Sequence, residues 1–431
     1  MTIREKTRGA PRKLGRRVAV IGGAMSPFGA FPEKGSRDLV ADAYSEALDS
    51  VDKGLDPGDI DALYVGNFCA DLFEGQSHLG HLVADWLGLA SRPATRVEGA
   101  CASSGLAFRQ GVFAVASGLY DIVVAVGVEK MTSASTEDVQ EFLGVASDVP
   151  IEVGQAALTF PGIFAAITSA YMAKYGATRE HLMSVAVKNH TNGALNPKAQ
   201  FSVSLRDIME RRRERARERG KPVPDWADEF DFLRDESVNP PVAFPLHLFD
   251  CSPISDGAAC VILAAEEIAH NFTDDIVRVA ATSQVSAGPP ATWNSDLTAL
   301  PSVQLAAEKA YDMAGMRPGD IDFAEVHDCF TTAEIVATED LGFFEPGRGA
   351  FAVADGETSR ESDRPINISG GLKAKGHPVG ATGLAQLQEV WQQLRGRAGQ
   401  RQITHKDLRL GLTHNVGGTG GTCVVNILER R

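Results

Sequence analysis

A five-residue phrase occurs twice in this chain of 431 residues: Pro57-Gly58-Asp59-Ile60-Asp61 returns as Pro318-Gly319-Asp320-Ile321-Asp322. Each copy follows an alanine-rich, helix-like stretch and precedes a short apolar run. A second echo, in the same order, joins Ser103-Ser104-Gly105-Leu106-Ala107 to Ala381-Thr382-Gly383-Leu384-Ala385. Each of these opens a helical pattern that leads into a strand-like run, residues 122–128 in one half and 408–412 in the other. Two matches in one order identify an internal duplication, chance recurrence of glycine-rich turns being the alternative. A duplicated chain that alternates short apolar runs with helical patterns is expected to fold as two α/β halves with mostly parallel sheets.

The first half opens with residues 17–22 (RVAVIG), an apolar run that reads as a buried strand. A helix is predicted over 36–51, with Leu39, Ala43, Ala47 and Leu48 on one face, then a strand over 62–65. Between the halves the alternation stops. Residues 146–245 hold a charge-dense run, 206–221 (RDIMERRRERARERGK), followed by proline-rich loops. One reading of that run is a solvated helix laced by i,i+4 Glu–Arg pairs. The other is a surface for phosphates or a partner chain. The organisation is therefore a leader at 1–16, one half at 17–145 completed by about 246–270, a separate segment at 146–245, and a second half at 271–431.

The formal net charge of −14 argues against a broad nucleic-acid-binding surface, while leaving room for a local basic patch. No stretch approaches the ~20 apolar residues that span a bilayer, so no membrane segment is expected. The basic start has no apolar core and reads as a disordered leader rather than a targeting peptide. The six cysteines, at 69, 101, 251, 260, 329 and 423, form no Cys-x-x-Cys pair. Neither a zinc site nor a disulfide framework is expected, and reduced thiols fit a cytoplasmic protein.

Four places carry chemistry. Cys101 sits among small residues in Gly99-Ala100-Cys101-Ala102-Ser103-Ser104-Gly105, where a helix is predicted to begin. A helix N-terminus offers free N–H groups that favour a thiolate and hold an oxyanion; a buried structural cysteine is the plainer reading. His377 lies in Gly376-His377-Pro378, preceded by Ser369-Gly370-Gly371. A histidine in so open a turn can take a thiol proton near neutral pH, or simply bond to backbone. Val326-His327-Asp328-Cys329-Phe330 ends a strand, where ligands gather in open α/β sheets. His327 and Cys329 are candidates for an oxyanion donor and an acid/base; Asp328 reads as a cap for a helix begun by Thr331 and Thr332. Finally, His414, Asn415 and Gly417 belong to a glycine-rich segment, 413–421, that forms either an anion-binding nest or a plain turn.

Together these motifs resemble the thiolase family, over nearly the whole chain after the leader. Residues 99–105 look like its nucleophile motif, and Gly127-Val128-Glu129-Lys130-Met131 like its segment at the dimer and active-site edge. Ser255-Asp256-Gly257-Ala258-Ala259 and Gly376-His377-Pro378 match as well. The better-known thiolases carry Asn-Glu-Ala-Phe where this chain has His327-Asp328-Cys329-Phe330, and a catalytic cysteine where it has Asn415. Both departures resemble the sterol-carrier-protein-type thiolases and their archaeal and bacterial relatives. Lys188-Asn189-His190, Asn196-Pro197 and Gln200-Phe201 fit that branch too.

The resemblance implies an α/β thiolase fold: two similar halves in a five-layer αβαβα stack, with 146–245 as a loop domain over the active site. It implies an acyltransferase that cleaves a 3-oxoacyl-CoA, or runs the reverse Claisen condensation, through a Cys101 acyl-enzyme. His377 would deprotonate Cys101, His327 and His377 would donate to the thioester oxygen, and Cys329 would replace the missing acid/base cysteine. Gly417, Asn415, His414, Ser369 and Gly370 would line the oxyanion and substrate site. Coenzyme A enters as substrate, with no covalently bound cofactor and no metal. A homodimer or tetramer is implied, and relatives of this branch make a small OB-fold partner with a zinc ribbon an expectation. A retro-aldolase acting on a 3-hydroxyacyl-CoA, and an idle scaffold holding CoA esters, are the competing readings.

Overall fold

The computed structural model describes residues 13–157, 159–288 and 296–431. Most of the expected leader, residues 1–12, lies outside them. Its last residues do not behave as a free leader: Leu14 packs on the core, and Arg16 is paired with Asp121 and Glu267.

The first half contributes strands β1 (Val18–Met25), β2 (Ala62–Gly66), β3 (Ala94–Val97) and β4 (Ile122–Glu129), with helices α1 (Ser36–Asp49) and α2 (Ser103–Ala116). The middle segment is helical: α3 (Phe160–Tyr175), α4 (Arg179–Gly193) and α5 (Leu205–Glu218), followed by a small hairpin of β5 (Pro241–Ala243) and β6 (Leu246–His247). Strand β7 (Gly257–Ala265) then returns to the first sheet. The second half consists of β8 (Val277–Ser286), α6 (Pro301–Ala314), β9 (Phe323–Glu325), α7 (Thr331–Asp340), α8 (Gly371–Lys375), α9 (Thr382–Leu394), β10 (Leu410–Gly417) and β11 (Thr422–Arg430).

The strand order is β3-β2-β4-β7-β1 in one half and β8-β11-β10-β9 in the other. The two sheets are joined edge to edge where Ala19 and Val20 pair with Arg278 and Val277. Corresponding strands keep corresponding directions. β2 is parallel to β4, which runs antiparallel to β7, itself antiparallel to β1. β9, β10, β11 and β8 repeat that sequence. The sheets are thus mixed, not mostly parallel. The reason is visible at β10 and β11, which are joined by a tight turn at 418–421, too short for the crossover a parallel pair requires.

Side-chain alternation builds the layers. Ala19 and Ile21 of β1, with Val124 and Ile262, face α1 on the outside of the first sheet. Val18 and Val20 point the other way, onto a central layer that holds Phe108 and Val112 of α2 beside Leu384 and Trp391 of α9. Beyond the second sheet, Ala281, Leu412 and Val425 pack on Val303 and Ala306 of α6. Helix, sheet, helices, sheet and helix give five layers. Both echoes of the sequence mark equivalent places: each Pro-Gly-Asp phrase is a short 3-10 turn before β2 or β9, and the second echo opens α2 and α9.

The middle segment has its own small core of Met183, Met209, Trp226 and Phe232. Helix α5 carries the charged run and starts at a capping box formed by Ser204 and Asp207. The i,i+4 pairs expected along it are not what forms. Arg206 pairs with Glu229 outside the helix, and Arg213 with Glu210 three residues earlier.

Candidate active site

Cys101 occupies a 3-10 turn, Ala100–Ala102, that leads into α2. The turn is tight enough to force Ala100 into the left-handed region, φ 49°, a conformation that persists only where surroundings impose it. Glu98 accepts from the Ala100 N–H at 2.6 Å, and Ser103 Oγ bridges the Gly99 N–H (3.1 Å) and the Ala100 carbonyl (2.6 Å). Gly417, at the end of β10, backs this turn so closely that a Cβ there would lie 2.1 Å from the Gly99 carbonyl oxygen.

Burial pushes the Cys101 thiol up to about 12. The N–H of Gly418 and its own N–H pull it down, while the charges of Glu129 and Glu98 raise it further. The helix start therefore does not make a resting thiolate; a base must remove the proton. The N–H facing the sulfur belongs to Gly418, one residue beyond the expected Gly417.

His377 is held at its backbone, where its N–H donates to Ser255 Oγ at 2.9 Å, and at its ring, where Nδ1 lies 2.7 Å from Thr382 Oγ1. Burial, with the Lys375 charge, pushes its imidazole down to about 3. His327 follows β9. Its N–H donates to His414 Nδ1 at 3.3 Å, and burial drives its ring well below the usual histidine range. The two rings stand edge to face, 5.1 Å apart. Cys101 Sγ and one ring nitrogen from each histidine all lie within 4.8 Å of one another. Among the described residues this is the group of cysteine, histidine and carboxylate side chains with such spacing. Asn415 Nδ2 closes it, 3.0 Å from the Cys101 carbonyl and 3.3 Å from His327 Nδ1.

Cys329 stands beside this trio rather than within it. It is buried, and burial, followed by the charges of Cys101 and Asp328, drives its thiol well above the usual range. Ser369 and Gly370 do not face the sulfur. Ser369 is bound to Glu325 and Lys375 in a buried network, and the Gly370 N–H goes to Asn367. Asp328 does not cap the helix begun by Thr331. It accepts from the backbone of Leu372 and Lys373 and from Asn189 Nδ2, so it caps α8 instead. That contact, with the Lys188–Glu334 pair and Asn367 on the Val326 N–H, pins the strand end that carries His327.

A cavity of about 520 Å³ opens next to the site. Arg211, Arg212 and Arg215 of α5 line it, with Phe249, Lys373 and Ser252. The Ser252 N–H donates to the Cys329 carbonyl at 2.9 Å, which ties this wall residue to the segment that carries Cys329. The charged run thus lines a concavity as well as presenting a solvated face. Thr382 and Gly418 escaped the sequence reading as site residues. The signal for Thr382 was its place five residues after His377 on one turn, where it read only as a helix opener.

Comparison with known proteins identifies the family and the fold. The thiolase N-terminal domain family matches residues 18–216, and the thiolase C-terminal domain-like family matches 284–430. The acetyl-CoA acetyltransferase of Methanothermobacter thermautotrophicus is 45% identical over 96% of this chain and 100% of its own length. Human sterol carrier protein 2 is 32% identical over 96% of this chain and 72% of its own. Among solved structures, the Ltp2-ChsH2(DUF35) aldolase superposes with a TM-score of 0.75 at 24% identity, covering 97% of this chain and 99% of that one. Human mitochondrial 3-ketoacyl-CoA thiolase in complex with CoA gives 0.68 at 18%, covering 98% and 100%. The fold, with the family match and the archaeal relative, defines an acyltransferase of the thiolase type. The chain belongs to the thiolase family, in the branch of sterol carrier protein 2 and the archaeal-type enzymes.

Proposed function

We propose that this chain is a CoA-dependent thiolase that cleaves a 3-oxoacyl-CoA, or forms one by Claisen condensation, through an acyl group carried on Cys101. The convergence of Cys101, His327 and His377 is the observation that carries the reading. His377, neutral in its buried place, takes the Cys101 proton. The thiolate attacks the 3-oxo carbon, the C2–C3 bond breaks, and its electron pair leaves on the thioester as an enolate. His327 donates to that enolate oxygen, and Cys329 returns a proton to carbon. The N–H groups of Cys101 and Gly418 hold the oxyanion while free CoA takes the acyl group. The arginines of α5 suit the phosphates of the CoA moiety. They make 146–245 the domain that covers the substrate.

Acetoacetyl-CoA is the first substrate to test, because the archaeal relatives are named acetyl-CoA acetyltransferases. Bulkier branched, steroid or aromatic acyl groups are the next. The likeness to an aldolase is one of fold; a retro-aldol cleavage needs no acyl-enzyme, and here both the nucleophile and its neighbouring histidines are present. We place the enzyme in the cytoplasm as a homodimer or tetramer. The described cysteines are free, and no helix among the described residues is long and apolar enough to cross a membrane. The solved aldolase is named as an Ltp2-ChsH2(DUF35) assembly, which supports a search for an accessory chain here.

The test is mass spectrometry of the Cys101 peptide after incubation with acetoacetyl-CoA in the absence of free CoA. An acetyl adduct that CoA then discharges is expected. Cleavage of a 3-hydroxyacyl-CoA with no adduct at Cys101 would favour the aldolase reading.

A further inference from the structure

Both central histidines are neutral, so each ring carries one proton, and the nitrogen that bears it decides whether the ring accepts or donates. The structure contains the information to assign both. Asn415 Nδ2 lies 3.0 Å from the Cys101 carbonyl oxygen. A carbonyl only accepts, so this end of the amide is the NH₂; turning the amide over would set oxygen against oxygen. The same NH₂ reaches His327 Nδ1 at 3.3 Å. That nitrogen therefore presents its lone pair, and the proton of His327 sits on Nε2. His327 Nε2 is buried and has no partner in the described structure.

The other ring is set the opposite way. Thr382 is fully buried, and its Oγ1 donates to the Pro378 carbonyl at 3.1 Å. One hydroxyl has one proton, so at 2.7 Å from His377 Nδ1 its oxygen accepts. His377 then carries its proton on Nδ1 and leaves Nε2 bare.

We propose that Thr382 and Asn415 are positioning residues that impose opposite tautomers on the two histidines: a bare Nε2 on His377 to receive the Cys101 proton, and an Nε2–H on His327 to meet an oxyanion. On proton transfer the S–H bond breaks and an N–H bond forms at His377 Nε2. The resulting imidazolium keeps its Nδ1–H on Thr382. The catalytic roles rest on the thiolase reading above; the tautomers themselves do not.

The first measurement uses the wild-type chain labelled with ¹⁵N-histidine, its signals assigned through His377→Gln and His327→Gln. Two-bond ¹H–¹⁵N spectra are expected to show a protonated Nδ1 on His377 and a protonated Nε2 on His327. A His377 signal with the proton on Nε2 would overturn the proposal outright. The second measurement is alkylation of Cys101 by iodoacetamide at pH 7. Thr382→Val removes the hydroxyl at nearly constant shape. It is expected to slow alkylation about 10–100-fold, the usual effect of losing the partner that orients a functional histidine. Thr382→Ser should restore the rate to within about threefold. An unchanged rate in Thr382→Val, with a thermal midpoint near wild type, would show that Thr382 only caps α9. Asn415→Asp replaces the donor to His327 Nδ1 with an acceptor. The His327 proton should move to Nδ1 in the two-bond spectrum of the variant, and exchange of acetyl-CoA methyl protons with D₂O should fall on the order of 10²-fold; a proton still on Nε2 with equal exchange would remove Asn415 from the role. The spectra and the alkylation need no substrate. Failure of thiolysis with both of them as expected would sink the functional reading and leave the tautomers standing.

Discussion

Cys101 rests as a thiol, and that is the main chemical fact of the site at the scale of single residues. Its proton lies about as high as that of a phenol or above, at about 12, because the surroundings desolvate the charged form more than two N–H groups stabilise it. Alkylation should therefore track the presence of a base. In His377→Ala the rate of Cys101 alkylation at neutral pH is expected to fall on the order of 10²-fold and to recover only at alkaline pH; a pH profile equal to wild type would take His377 out of the step. Cys101→Ala should abolish thiolysis with an unchanged circular dichroism spectrum and no acyl adduct. Cys329→Ala is expected to slow turnover by roughly 10²–10⁴-fold while Cys101 still acylates, and wild-type turnover would make Cys329 a packing residue. Of the residues proposed for the chemistry, Cys101 and His377 were legible because each stands among glycines, and His327 and Cys329 because they follow a strand end. The residues that aim them were not. Thr382 looks like any helix-opening threonine until Pro378 and His377 are seen on either side of its hydroxyl. Ser369 misled in the opposite sense, since its glycine neighbours serve the bend into α8 while its hydroxyl is tied to Glu325.

Among the elements, α5 is where sequence reading left two answers, a solvated helix or a surface for phosphates or a partner. Its capping box, its ion pair to Glu229 and its exposed face are those of a solvated helix. Arg211, Arg212 and Arg215 nevertheless line the cavity beside Cys329. Replacing all three by alanine is expected to raise KM for CoA about tenfold or more, leave kcat within about threefold, and flatten the salt dependence of kcat/KM. A loss confined to kcat would place the arginines outside the binding path. The strands illustrate what local pattern can and cannot say. The paired Pro-Gly-Asp phrases located β2 and β9, because a tight turn before a strand has a local sequence cost. Strand direction has none, so the antiparallel pairs of β7 and β11 were missed. β10 tests the close packing between elements: Gly417→Ala adds a methyl 2.1 Å from the Gly99 carbonyl, so the turn at Cys101 must move. The expected outcome is a folded protein with strongly reduced alkylation of Cys101.

For the molecule as a whole, buried titratable groups give stability a pH dependence with two opposing parts. Burial raises Glu129 and Asp340 to about 7. Between the ordinary carboxylate range and about 7 the native state keeps protons that the unfolded chain releases, so this contribution falls as pH rises through that window. His190, His377 and His414 are depressed to about 3. They contribute stability above the ordinary histidine value that is lost as pH falls toward 3. The two parts separate in a difference measurement. Asp340 accepts from the Leu300 N–H and from Gln304, contacts that an asparagine can retain if the Gln304 amide turns. The melting temperature of Asp340→Asn, relative to wild type, should climb from about pH 5 to about pH 8 and then level off. A difference independent of pH would mean that Asp340 is already ionised at the lower end.

The order of the strands has one more consequence, and it concerns time. β7 fills the place between β4 and β1, yet it follows them only after the whole helical excursion of the middle segment has been made. On the ribosome, at about 5–20 residues per second, that interval is on the order of ten seconds. Throughout it, the fully buried strands β1 and β4 have been synthesised and their shared neighbour has not. Two apolar edges wait for the same strand, and any other extended segment that comes by is a competitor for them. Synthesis of this enzyme should therefore depend on chaperones that hold nascent chains, and synonymous codons that slow translation between β4 and β7 should lower the soluble yield without changing a single residue.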